Sequence, residues 1–170
     1  LLQALVGFDT TSRESNLKLI EFVRDYLAGF GVPCELIYND ERSKANLFAT
    51  LGPANVPGIV LSGHTDVVPV DGQPWTLPPF ELTERDGKLF GRGTADMKGY
   101  IACVLALVPA LASADLRMPV HIALSYDEEV GCLGVRSLLK VLEQWPVKPL
   151  LCIIGEPTEL KPVLGHKGKL

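Results

Sequence analysis

The chain alternates between helical spacing and short unbroken apolar runs. Between positions 14 and 31, Leu19, Phe22, Val23, Tyr26, Leu27 and Phe30 recur every three or four residues, which lays one apolar stripe along a helix. Gly29 and Gly31 end the stripe and Pro33 forbids its continuation. Positions 34–38 and 46–51 read as strands on either side of a charged turn. The run Gly58-Ile59-Val60-Leu61-Ser62, with Pro57 before it and Pro69 after it, predicts a buried strand that leads into Gly63-His64-Thr65-Asp66. A strongly apolar stretch predicts a buried helix over 97–112, followed by a strand over 119–125. Positions 134–145 predict a helix with Val135, Leu138, Leu139 and Leu142 on one face, then come a fully apolar strand at 150–154 and a weaker one at 161–166. Residues 2–8 predict a short helix and 9–12 loop or cap material, and Asp86-Gly87 marks a small hairpin. The Pro-rich segment 69–81, which holds Trp75, is a long irregular connection, and such loops are usually functional or disordered.

Strands alternating with helices, three of the strands apolar throughout, predict an α/β fold: a mixed, mainly parallel sheet with helices on both faces. The length of 170 residues suffices for one domain with its own core. Net charge is -4, with the basic residues scattered, which argues against a nucleic-acid surface. No stretch reaches the roughly 18 uninterrupted apolar residues needed to span a bilayer. The first residues lack a basic leader and a cleavage site, so no secretion signal is expected there. They also lack an initiator Met, so the chain is expected to begin inside a longer protein. Cys34, Cys103, Cys132 and Cys152 show no CxxC spacing and sit among apolar or small neighbours. They read as buried or half-buried free thiols, which suits a reducing cytoplasm.

In open α/β sheets, sites form just outside the carboxyl ends of the strands. Those ends carry, in order, His64-Thr65-Asp66, then Asp96 ahead of the apolar helix, then Asp127-Glu128-Glu129, then Glu156-Pro157. Each has an ordinary explanation. His64 and Asp66 make a polar pair, Asp96 is an N-cap, the acidic triplet is a solvated turn, and Glu156 is a turn residue. Those explanations must all hold together at successive strand ends. Carboxylates gathered in one place repel one another, and burial raises the cost; a bound cation removes it. One histidine with several carboxylates suits Zn²⁺, Mn²⁺ or Co²⁺, and the set is large enough for two ions sharing a bridging carboxylate. Charge balance is consistent with His64, Asp96, Glu129 and Glu156 as ligands. Asp66 is then free to orient the His64 ring, and Glu128 to take a proton from the activated water. A non-catalytic metal- or peptide-binding module is an alternative. An acidic Ca²⁺ site is another, weakened by the histidine.

The runs Ser62-Gly63-His64-Thr65-Asp66-Val67-Val68-Pro69, Gly91-Arg92-Gly93-Thr94-Ala95-Asp96-Met97-Lys98-Gly99, Asp127-Glu128-Glu129-Val130-Gly131 and Gly155-Glu156-Pro157-Thr158 together resemble the metal-site motifs of the aminoacylase/carboxypeptidase family of di-zinc metallopeptidases. Motif order matches, and the resemblance covers essentially the whole chain. It implies a di-zinc exopeptidase-like catalytic domain. His64 and Glu156 would hold one zinc, Asp96 would bridge both and Glu129 would hold the other. Glu128 would be the general base and Asp66 the partner of His64. The implied cofactors are two Zn²⁺, with Co²⁺ or Mn²⁺ as substitutes, and the implied substrate is a small N-acyl amino acid. The family's fifth ligand is a late histidine beyond an inserted lid and dimerisation domain, through which the full-length protein is expected to form a homodimer. Of the other histidines, His121 reads as structural, and His166 as a strand residue or substrate contact. The expectation is therefore a metal-binding catalytic domain over 1–160, incomplete here, with 161–170 starting the connection to an absent domain. Recognition of the substrate's carboxylate is expected in that absent part, and the fragment alone is expected to be inactive.

Overall fold

The stripe between positions 14 and 31 is the buried face of α2 (Leu17–Ala28), where Leu19, Ile20, Val23 and Leu27 are fully enclosed. Before it lies α1 (Leu2–Gly7). The chain then forms β1 (Cys34–Tyr38), β2 (Ala45–Leu51) and β3 (Ile59–His64). The expected hairpin is β4 (Thr83–Arg85) with β5 (Lys88–Phe90), and both turn residues, Asp86 and Gly87, have positive φ, as a type I′ turn requires. It is followed by α3 (Lys98–Ser113), β6 (Val120–Ser125), α4 (Val135–Glu143) and β7 (Leu151–Ile154). This computed structural model describes residues 1–165. The weak strand expected over 161–166 does not form in 161–165, and His166 lies outside the described residues.

The main sheet has the order β1-β2-β6-β3-β7. β2 pairs antiparallel with both neighbours, whereas β6, β3 and β7 pair in parallel. Thus β2 alone opposes the common direction, and the sheet is mixed as expected. Side chains alternate across it. Leu47, Ala49, Leu51, Ile122 and Leu124 face the core built with α1, α2 and α3. Phe48, Val60 and Ala123 face Leu138 of α4 on the other side. The chain leaves β3 through α3 to reach β6, then returns through α4 to β7 on the far side of β3. Right-handed crossovers in opposite directions put their helices on opposite faces. The carboxyl end of β3 therefore lies where the strand order reverses, the place where α/β sheets form their clefts.

Three details differ from the sequence-based expectation. Strand β7 is apolar but not covered: Leu151, Ile153 and Ile154 are 48%, 48% and 61% exposed, because β7 is an edge strand with only β3 beside it among the described residues. Leu139 points outward, since the short α4 rests on the sheet mainly through Leu138. Cys103, Cys132 and Cys152 are exposed, and only Cys34 is half-buried. His121 is structural, as expected: it is buried, bonds Thr50 Oγ1 at 2.9 Å and stacks on Phe48. Among the described residues, no helix is long and apolar enough to cross a membrane.

Candidate metal centre

His64, the last residue of β3, is almost wholly enclosed. Its Nδ1 lies 2.9 Å from the backbone carbonyl of Asp66 and 3.4 Å from that residue's carboxylate. The carbonyl is the nearer acceptor, so the residue two places on fixes the ring by main chain as well as side chain. Nε2 is left facing the cleft, where it meets Asp96 Oδ1 at 3.0 Å, Glu156 Oε1 at 3.7 Å and Glu128 Oε2 at 3.9 Å. Burial pulls the imidazole pKa down, but Asp66, Glu156 and Asp96 outweigh it and lift the value to about 9. Burial also raises the carboxyl pKa of Glu129 and of Glu156, and the charge of Asp96 adds to both against the opposing pull of His64.

The structure brings together every expected ligand from four separate segments. Donor atoms of His64, Asp96 and Glu156 lie within 4.8 Å of one another, and so do those of His64, Glu128 and Glu129. Asp96 and Glu129 line one pocket. A buried nitrogen facing three carboxylates gathered in one cleft is a donor set that a divalent cation fits. Such an ion meets the same oxygens with more charge than the Nε2 proton carries.

Local geometry rules out the ordinary explanation for Asp96. The N-cap of α3 is Met97, with no side-chain cap bond, so Asp96 stands before the helix and is free to turn into the cleft. It is placed there by the turn at Gly93, which has φ +85°. A Cβ at Gly93 would lie 3.0 Å from both Lys98 Cδ and Val67 Cγ1, so only glycine fits. Lys98 is itself fully buried and donates to the Phe8 carbonyl at 2.7 Å. Burial lowers its pKa to about 8, against the pull of Asp9 and Asp66. Before Glu156, Gly155 lies under the Tyr100 ring, where a Cβ would come within 2.1 Å.

The acidic triplet is not a solvated turn either. The Glu128 and Glu129 N–H groups donate to the Asp66 carboxylate at 3.0 and 3.2 Å. Ser12 Oγ donates to it at 2.6 Å, brought there by a short parallel bridge between Thr11 and Val67. Lys44 Nζ pairs with Asp127 Oδ1 at 2.6 Å and also donates to the Ser12 carbonyl. Ser12 and Lys44 escape sequence reasoning because their partners are 54 and 83 positions away. Nothing in a loop serine or a hairpin lysine signals such a link.

Comparison with known proteins places the chain in a family. Residues 60–167 match the profile of peptidase family M20/M25/M40, and the chain belongs to that family. Among curated relatives, it is 44% identical over 156 residues to the acetylornithine deacetylase of Pasteurella multocida (strain Pm70), covering 91% of this chain and 40% of the relative. It is 40% identical over 163 residues to the acetylornithine deacetylase of Proteus mirabilis (strain HI4320), covering 95% and 41%. The chain thus spans about 40% of the length of the curated relatives it matches. Of solved structures, human carnosine dipeptidase 1 matches with a TM-score of 0.76 at 25% identity, covering 90% of this chain and 37% of that one. The M20 family metallo-carboxypeptidase Sso-CP2 from Sulfolobus solfataricus matches with a TM-score of 0.78 at 20% identity, covering 91% and 36%, and shares the fold.

Proposed function

We propose that this site holds two divalent ions, zinc first among them with Co²⁺ or Mn²⁺ as substitutes. The whole protein then hydrolyses the amide of an N-acyl amino acid. The observation that carries this reading is the buried His64 Nε2, faced by Asp96, Glu128 and Glu156 from three different segments. In this assignment His64 and Glu156 hold one ion, Asp96 lies between the two, and Glu129 holds the other. When bound, the ions lower the pKa of a coordinated water towards neutrality and polarise the substrate carbonyl.

Glu128 is the proton carrier. Its backbone is pinned to Asp66, and its carboxylate reaches the cleft beside His64 Nε2. It takes the water proton as the oxygen attacks and passes that proton to the leaving amine. Asp66 keeps the His64 ring and the Glu128–Glu129 turn in register. The names of the relatives support N-acetylornithine as the substrate, giving ornithine and acetate on the way to arginine. The same reading makes the full-length protein a cytoplasmic homodimer, joined through a part of the chain outside these residues.

The test uses the full-length protein. Glu128→Ala is expected to keep its metal, measured by elemental analysis, and to lose about 100-fold or more in turnover of N-acetylornithine. Asp96→Ala is expected to lose metal as well as activity. Near wild-type turnover in Glu128→Ala sinks the assignment of the base. A preference for N-succinyl-diaminopimelate over N-acetylornithine makes the protein a desuccinylase of the same family instead.

A further inference from the structure

We propose that Met97 is a positioning residue for the metal centre, a role that rests on the metal-binding reading above and adds to it what holds the main chain of His64. The Met97 thioether sulfur accepts the backbone N–H of His64 at 3.2 Å. Both residues are enclosed, Met97 wholly and His64 almost so. The bond lies where the sheet runs out of partners. Backbone groups along a strand turn alternately to its two neighbours. The Thr65 N–H turns towards β6 and donates to the Ser125 carbonyl at 2.8 Å. On the other side, the Gly155 N–H donates to the Ser62 carbonyl at 3.2 Å. The next donor on that side is the His64 N–H, which a continued parallel ladder would pair with a carbonyl of the edge strand. But β7 has ended at Ile154, and the chain goes on to bring Glu156 Oε1 within 3.7 Å of His64 Nε2. The sulfur takes the hydrogen that the missing rung would have taken.

A buried N–H without an acceptor is costly. A thioether is a weak acceptor, yet with water excluded it is the one at hand. The strand makes room for it: a Cβ at Gly63 would lie 3.2 Å from Met97 Cε, and glycine inside a strand often marks such a close approach. The other end of Met97 is anchored, since its carbonyl accepts the Ile101 N–H at 3.2 Å in the first turn of α3. Met97 also follows Asp96 directly in the chain. One residue thus links three of the proposed ligands. It continues the backbone of Asp96, holds that of His64, and relieves the edge strand of a rung so that Glu156 can leave the sheet. Filling space between β3 and α3 would account for the burial of Met97, and an aliphatic side chain would do that equally well. It does not account for a sulfur aimed at the His64 N–H.

The experiment measures zinc affinity by chelator competition in the full-length protein. Met97→Leu conserves volume and removes the acceptor. It is expected to weaken zinc binding about tenfold, at the lower end of what partners that orient a ligand contribute. In the metal-free protein the His64 amide is expected to exchange its hydrogen about tenfold faster in Met97→Leu, while the Thr65 amide, still bonded to Ser125, keeps its rate. Met97→Gln restores an acceptor at similar reach. It is expected to melt lower than Met97→Leu, because it buries an amide, yet to bind zinc more tightly. A space-filling role predicts the opposite order, with Met97→Leu at the wild-type affinity, and that result overturns the proposal. If one variant fails to fold, the other is compared with the wild type: undiminished affinity in Met97→Leu, or a loss of tenfold or more in Met97→Gln, overturns it. Neither measurement needs turnover. The expected changes in a protein that does not hydrolyse N-acetylornithine support the role of Met97 and overturn the deacetylase reading. Unchanged affinity and exchange in an active Met97→Leu enzyme do the reverse.

Discussion

Asp66 directs its carboxylate away from the cleft and into the structure behind it. Oδ2 accepts from Ser12 Oγ at 2.6 Å and from the Glu129 N–H at 3.2 Å, and Oδ1 accepts from the Glu128 N–H at 3.0 Å. Burial works against its ionisation, but His64, Ser12 and the Glu128 N–H outweigh that and keep its pKa below the ordinary value. At this scale the sequence supplies identity but not connectivity. His64 and Asp66 announce themselves because two positions on a strand share a face, whereas the bonds from Asp66 to Glu128 and Glu129 span 62 and 63 positions and leave no local trace. Asp66→Asn places an amide NH₂ among groups that themselves donate. It is expected to weaken zinc affinity about 10- to 100-fold, since partners that orient a ligand have effects of that size, and to lower kcat as the Glu128 turn loosens. A chelator competition titration measures the first effect. Affinity within twofold of the wild type would show that Asp66 does not support the ligand set.

The elements were legible where their periodicity was strong, and illegible where a partner lies across the fold. The stripe in α2, the hairpin at Asp86-Gly87 and the strand leading to His64 all carry local signals, whereas the exposure of β7 depends on its edge position, which no local pattern records. The pairing of α2 with α3 shows the same limit. Pro109 sits inside α3, and proline has no N–H to give to the carbonyl four residues earlier. That carbonyl belongs to Leu105, and it accepts instead from the Tyr26 hydroxyl of α2 at 3.1 Å. A side chain from one helix thus replaces the missing bond of another. Tyr26→Phe is expected to cost about 1 kcal/mol in urea unfolding, the usual net worth of such a bond. With Pro109→Ala in place, the helix can supply its own donor, and the cost of Tyr26→Phe is expected to shrink. Equal costs in the two backgrounds would show that the hydroxyl does not replace the proline's missing donor.

For the molecule as a whole, the cleft at the end of β3 concentrates negative charge that the fold alone does not neutralise, and this makes stability depend on both metal and pH. In the metal-free chain His64 titrates near 9, above its ordinary 6.5. The bonds made by the imidazolium therefore stabilise that fold fully below pH 6.5 and are lost as the pH climbs through about 9. Glu129 and Glu156 are also raised, by burial first. Their protonated forms favour the metal-free fold at low pH, and ionisation removes that contribution as the pH rises through their raised values. Both effects weaken the metal-free protein on the alkaline side. Metal binding runs the other way, because a ligand must give up its proton first. Apparent zinc affinity is expected to rise with pH, by up to about tenfold per unit for each proton displaced, and to flatten once His64 is neutral. Thermal melts of the full-length protein, stripped of metal or loaded with zinc, test this between pH 6.5 and 9. The stripped protein is expected to lose Tm across that range while the gap between the two forms widens. A gap that stays flat or narrows would mean that zinc displaces no proton from His64, and would remove this histidine from the ligand set.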